Sequence, residues 1–211
     1  MRPIPSAIAA RFRCVGAWAR RGGQGWLAAA ALPWALAACS PPLDWRTVRL
    51  EGAGLEAVLP CKPDRAARPV ELGGQTVELS MAGCKADGAT FAVSHMVLDG
   101  SAGAAEAGAV LSQWRAATLG RMGVPAADAA AAGSPFTLPG ALPLPQSVRV
   151  QVQGVSPDDS AAVVAHAVWF ARAEAAAAGS APRLRLYHAV LYAPTPRAAA
   201  ADTFFGGLAL R

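Results

Sequence analysis

Histidine is the residue type in this sequence best suited to catalysis or metal binding. His95, His166 and His188 each fall in phase with apolar neighbours in a stretch of alternating residues. This alternation is typical of a half-buried strand, so we expect all three to be core or rim residues. Their separations match no local metal-ligand motif. One alternative stays open: if His166 and His188 met on paired strands, two imidazoles and a carboxylate would make a zinc site or a small active site.

Other catalytic patterns are weak. A nucleophilic serine is expected in a strained turn such as G-x-S-x-G, whereas Ser134 follows Gly133 and precedes a proline, with no second glycine. Asp158 and Asp159 lie in a turn pattern, which is typical of solvated carboxylates. The sequence contains no G-x-G-x-x-G or G-x-x-x-x-G-K run that would cradle a phosphate. It therefore predicts neither an enzyme nor a bound cofactor.

The first 38 residues have the parts of a secretory signal. Residues 1–25 carry basic side chains and no acidic one, and residues 26–38 form a continuous apolar run. This run is shorter than the roughly 20 residues that a membrane-spanning helix needs. A basic region, a short apolar core and small residues at its end together indicate a signal peptide over residues 1–38.

The end of this apolar run, Leu36-Ala37-Ala38-Cys39, resembles the lipobox of bacterial lipoproteins at all four positions. The resemblance implies cleavage before Cys39 and a diacylglyceryl group on its thiol, with acyl chains that anchor the protein in a membrane. Ser40 in the next position favours the outer membrane. Residues 39–44, rich in proline, would then be a short tether, and residues 45–211 a single domain facing the periplasm.

The predicted periplasmic location determines what we expect of the other cysteines. Cys14 lies in the leader, and Cys39 would carry the lipid, which leaves Cys61 and Cys84 in a compartment that oxidises thiols. We expect these two to form one disulfide. A redox or metal pair is the alternative, although the sequence has no C-x-x-C and no histidine near either cysteine.

The charge of the chain is concentrated in the leader. The formal net charge is +5, but five of the 19 Lys and Arg residues precede Cys39 and all 14 Asp and Glu residues follow it. The part after Cys39 is therefore formally neutral. It contains no run of basic residues interleaved with aromatic ones, so we do not expect nucleic-acid binding.

Hydrophobic alternation predicts mostly strands, broken by one internal helix and one terminal helix. Residues 162–172 allow a helix by their alanines, but VVAHAVWF favours a strand. The expected elements are strands at 45–50, 55–60, 69–72, 75–84, 90–97, 147–155, 162–172 and 183–192, a helix at 104–122 ended by Gly123, a long loop at 124–145, and a helix beginning near Thr195.

This order predicts an α+β domain, in which two helices pack on an antiparallel β-sheet. The layout, with Leu59-Pro60 after an early strand and D-T-F-F at 202–205, resembles small uncharacterised proteobacterial envelope lipoproteins and the PsbP-like sheet-and-helix fold. We expect a lipid-anchored, non-catalytic cell-envelope protein that binds a protein or small ligand near the membrane, or supports an envelope assembly. A ligand carrier would need a cavity of about 300 Å³ or more.

Overall fold

The computed structural model describes residues 43–72, 74–98, 103–174 and 183–211. The predicted signal peptide 1–38 and the predicted lipidation site Cys39 lie outside these residues. Within the described part, no helix is long and apolar enough to cross a membrane.

The described chain is an α+β domain, as predicted, with mostly antiparallel strands. The helices are α1 (Ala104–Arg121), α2 (Ala126–Ala131) and α3 (Ala198–Gly206). The strands are β1 (Arg46–Leu50), β2 (Leu55–Leu59), β3 (Asp64–Leu72), β4 (Gln75–Ala86), β5 (Ala89–Leu98), β6 (Ser134–Pro135), β7 (Val148–Val155), β8 (Ala162–Glu174), β9 (Arg183–Ala193) and β10 (Ala209–Leu210).

The strands form two sheets rather than the single sheet expected from the sequence. One has seven strands in the order β3-β4-β5-β9-β8-β7-β6, and the other has three strands in the order β1-β2-β10. Asp87-Gly88 forms the predicted two-residue turn between β4 and β5, since both residues have positive φ (48° and 69°) and a type I′ turn requires this at both central positions.

The seven-stranded sheet is covered on both faces. On one face Phe91, Val168 and Phe170 pack with the three-stranded sheet and α3, and on the other Met96 and Trp169 pack with α1. Central strands buried on both sides need apolar residues at consecutive positions. This explains why residues 163–170 are apolar at every position except His166 and show no clean alternation.

The predicted loop at 124–145 was wrong in part. It contains α2 and the two-residue strand β6, which pairs with β7. Pro125 precedes α2 with a φ of −57°, a value already suited to a helix start. Alanine then favours the helix intrinsically, but only Ala129 is buried. A one-turn helix with a single buried side chain leaves no apolar period to detect.

A half-buried carboxylate lies between two arginines where the sheets meet. Glu174 accepts hydrogen bonds from Arg185 at 2.6 and 3.1 Å and from Arg172 at 3.3 Å. Burial is the largest single influence and opposes ionisation of Glu174, but the hydrogen bonds and charges of Arg185 and Arg172 together outweigh it, so the pKa lies below its usual value. Arg172 also donates to the Gly54 carbonyl at 3.0 Å and the Arg211 carbonyl at 2.6 Å. Arg172, on the larger sheet, therefore binds two segments that flank strands of the smaller sheet.

Two further contacts fasten the smaller sheet. Tyr187 on β9 donates a 2.6 Å hydrogen bond to the Ala53 carbonyl in the turn between β1 and β2. The sulfurs of Cys61 and Cys84 lie at disulfide distance, with Cα atoms 6.0 Å apart, in agreement with the predicted bridge. The bridge ties the segment after β2 to β4 of the larger sheet.

We expect Glu174→Gln to lower the free energy of unfolding by about 3 kcal/mol, because two largely buried guanidinium groups would lose their only counter-charge in the described network. Urea unfolding measures the change. Glu78→Gln is the matched control, since Glu78 is exposed on β4 and belongs to no described ion pair. Equal stability of the two variants would show that the carboxylate does not hold the sheets.

Replacing both Cys61 and Cys84 by serine should lower the free energy of unfolding by roughly 3 kcal/mol, since the closed loop no longer restricts the unfolded chain. A reductant should destabilise the unsubstituted protein by a similar amount and leave the double variant unchanged. Insensitivity of the unsubstituted protein to reductant would mean that the two thiols are not bonded.

Candidate functional site

The structure does not bring His166 and His188 together. In the pairing of β8 with β9, His166 lies opposite Leu191 and His188 lies opposite Trp169. Residues opposite one another share a face, and neighbours along a strand alternate, so the two imidazoles project from opposite faces of the sheet. The described residues contain no group of three His, Cys, Asp or Glu side chains that could hold a metal ion. The convergence required by the zinc alternative is not present.

Each histidine is instead a buried residue with a structural environment. The Arg185 guanidinium lies 3.0 Å from Nδ1 of His95, and the Arg197 amide donates to Nε2 of His166 at 3.2 Å. Burial, reinforced by the Arg185 charge, lowers the pKa of His95 to about 4. Burial, with help from Arg149, also lowers the pKa of His166. Their interpretation as core or rim residues is confirmed by their burial.

His188 is the histidine that lines a surface groove. Its ring stacks on Trp169 with centroids 4.5 Å apart and meets the edge of Trp114 at 5.6 Å. Burial lowers its pKa to about 3, so the imidazole is neutral at neutral pH. Its Nε2 has no hydrogen-bond partner among the described residues.

A groove of about 730 Å³ lies beside His188, on the α1 face of the seven-stranded sheet. Strands β4, β5 and β9 supply its floor, and the edge strand β3 continues it on one side. Trp114, Thr118 and Arg121 of α1 line one side, and residues 156–158, which follow β7, line another. We call this space the α1 groove.

Small side chains on the floor create the space. Gly83, Ala92 and Ser94 all line the α1 groove. A Cβ atom on Gly83 would meet the Phe91 carbonyl oxygen at 2.8 Å and the Ala92 Cβ at 3.1 Å. Because such approaches are closer than van der Waals contact allows, a side chain at this position would displace β5. Glycine at 83 therefore lets the two strands pack closely and keeps the floor low.

The floor changes in character along the strands. In the paired registers, Lys85, Thr90 and Tyr192 lie on one rung, and Met81, Ser94 and His188 lie on another four residues away along β4. Between them Gly83 and Ala92 pair with Val190. One end of the α1 groove thus carries the charge of Lys85. The other end carries Met81 and the ring of His188, with Arg68 one rung further along, opposite Leu79. Met81, with 41% of its surface exposed, is one of the most exposed large apolar residues described.

Positive charge predominates around the α1 groove. In the part of the chain that the structure describes, Lys62, Arg68, Lys85 and Arg121 belong to no ion pair. Cations with low-dielectric walls between them raise the local concentration of anions. The charged lining residues are the basic Lys62, Arg65, Arg68, Lys85 and Arg121 and the acidic Asp64 and Asp158.

Sequence reasoning missed the α1 groove. Its basic residues are spread from Lys62 to Arg121, so they form no run that a sequence search detects. One local signal was present in the β3–β4 hairpin. Arg68 lies opposite Leu79, and Met81 is two residues from Leu79, so a charge and an apolar surface share one face. Tertiary structure brings the other residues to them.

No protein-family model matches the chain, and no curated protein matches its sequence. The geometry of the α1 groove is therefore the starting point for assigning a function.

We expect His188→Phe to reduce the loss of stability in acid. Below pH 6.5 the unfolded chain binds a proton on His188 that the folded protein does not, so the free energy of unfolding falls as pH decreases. Between about pH 7.5 and about pH 5, protonation of His188 in the unfolded chain lowers the free energy of unfolding by about 2 kcal/mol. At neutral pH the variant should be at least as stable, because it removes an unpartnered buried nitrogen.

Tyr192→Phe is the matched control. Tyr192 also lines the α1 groove, but burial raises its pKa to about 12, so it does not titrate in this range. Urea unfolding at both pH values gives the comparison. An unchanged acid response in His188→Phe would show that His188 titrates normally in the folded protein.

Proposed function

We propose that the protein is a lipid-anchored, non-catalytic protein of the bacterial cell envelope, which binds a ligand in the α1 groove. The observation that carries this proposal is the groove itself. Its volume of about 730 Å³ is within the range of roughly 300–1,000 Å³ typical of small-ligand sites. It combines an apolar floor with several charged groups, the composition that such sites need for affinity and orientation.

Two features support the proposed location of the protein in the cell envelope. Leu36-Ala37-Ala38-Cys39 resembles a lipobox, and Ser40 favours the outer membrane. A disulfide between Cys61 and Cys84, whose sulfurs lie at bonding distance, would be stable in the oxidising periplasm and rare in the cytosol. Both features favour a domain that faces the periplasm beside the membrane.

The surroundings of the titratable groups favour binding over catalysis. A general base must be able to exchange a proton near neutral pH, whereas burial keeps the pKa values of His95 and His188 near 4 and 3. The cations at the groove rim have no described carboxylate partner, which leaves them available to a ligand. Binding an envelope partner or ligand there requires no chemistry from the protein.

Intact mass of the protein extracted from membranes tests the anchor. We expect the mass of residues 39–211 plus acyl chains, with a gain of two hydrogens on reduction. Cys39→Ser should abolish the acyl mass, while Cys14→Ser, the matched control within the leader, should leave the mature mass unchanged. A membrane-extracted protein that retains the leader, or lacks lipid, would contradict the proposed address.

A further inference from the structure

We propose that the ligand of the α1 groove is an anionic amphiphile: an acyl chain that ends in a carboxylate or a phosphate. This inference rests on the proposed function, because it names the class of ligand for the same site.

The charged end of the α1 groove fits an anionic headgroup. Lys85 lies on the rung with Thr90 and Tyr192, and the charge of Arg121 acts on the Tyr192 hydroxyl from the last turn of α1. Two cations from different elements thus flank one end of the floor. Asp158 also lies at this end, and Asp159 interacts with the charge of Lys85. The lining of the groove as a whole remains net positive, with five basic and two acidic residues. A carboxylate or phosphate placed here would gain charge-assisted hydrogen bonds.

The other end fits an apolar chain. From the Lys85 rung to the Met81 rung the floor extends four residues along β4, which is about 13 Å. Along this length the lining passes through Gly83, Ala92 and Val190 and reaches the exposed side chain of Met81. Methionine is flexible and polarisable, and therefore adapts to chains of different shape. Trp114 closes this end through its contact with His188.

The pairing of the floor strands favours an acyl chain over a peptide. Strands β4, β5 and β9 each pair with a neighbour on both sides, so their backbone groups are used within the sheet. A peptide recognised by strand addition needs a free strand edge. The edge strand that lines the groove, β3, carries Arg65, Arg68 and Pro69, residue types that oppose strand addition at an edge. An acyl chain needs no backbone hydrogen bond and gains only by leaving water.

The fluorescence of Trp114 gives a direct measurement of ligand binding in the α1 groove. We would place the lipidated protein in phosphatidylcholine nanodiscs and titrate it with dodecanoate and with dodecyl phosphate, each brominated at the terminal carbon. Bromine quenches tryptophan fluorescence on contact. We expect saturable quenching with one or both anions, displaced by the unbrominated compound. Empty discs correct for partition into the lipid.

Variants of Lys85 and Arg121 test whether the two cations bind the anionic headgroup. Both side chains are exposed, so their replacement does not disturb the core. The double variant Lys85→Gln, Arg121→Gln should weaken binding at least about tenfold, a loss equivalent to about 1.4 kcal/mol. Arg115→Gln is the matched control, since Arg115 is on α1 but does not line the groove. Trp114→Phe should remove most of the quenching, since Trp169 is fully buried and Trp45 packs on the opposite face of the sheet.

Two outcomes would overturn the inference. Equal quenching by a brominated dodecyltrimethylammonium would show that the rim does not select anions. Absence of saturable quenching by every probe would show that the groove does not take acyl chains. Neither result affects the anchor, which the mass of the same preparation tests separately. A preference for dodecanoate or for the phosphate identifies which headgroup the site takes.

Discussion

The arrangement of the domain depends on a carboxylate held between two arginines at the boundary of its two sheets. Glu174 forms ion pairs with both Arg172 and Arg185, and Arg172 also donates to the carbonyls of Gly54 and Arg211. Each of these groups would be costly to bury alone. Together they form a network that fastens the three-stranded sheet and the end of the chain to one face of the larger sheet.

The two faces of the seven-stranded sheet are covered to different extents. One face is closed by the smaller sheet and α3, with Phe91 and Phe204 in edge-to-face contact at its centre. The opposite face is covered by a single long helix, α1, which leaves part of the floor open. Since small residues such as Gly83 and Ser94 lie where the helix does not reach, the uncovered part becomes a groove.

Much of the fold follows from local patterns. Alternation in residues 147–155 and 183–192 predicted β7 and β9, and Asp87-Gly88 predicted a hairpin turn, because these signals depend only on neighbours in the chain. Gly123 ended α1 as expected, with a φ of +76°. The second sheet and α2 escaped prediction. The two-residue strand β10 and the one-turn helix α2 are too short to show a period.

The two histidines show most clearly what sequence alone determined and what tertiary structure decided. Their burial in strands was readable from their apolar neighbours. Whether they meet depends on register, and β8 pairs with β9 so that even-numbered residues lie opposite odd-numbered ones. His166 and His188 are therefore on opposite faces. The individual strands are properties of short segments, whereas the groove needs residues from Cys61 to Tyr192. Register and helix placement, which are set by packing across the whole domain, bring those residues together.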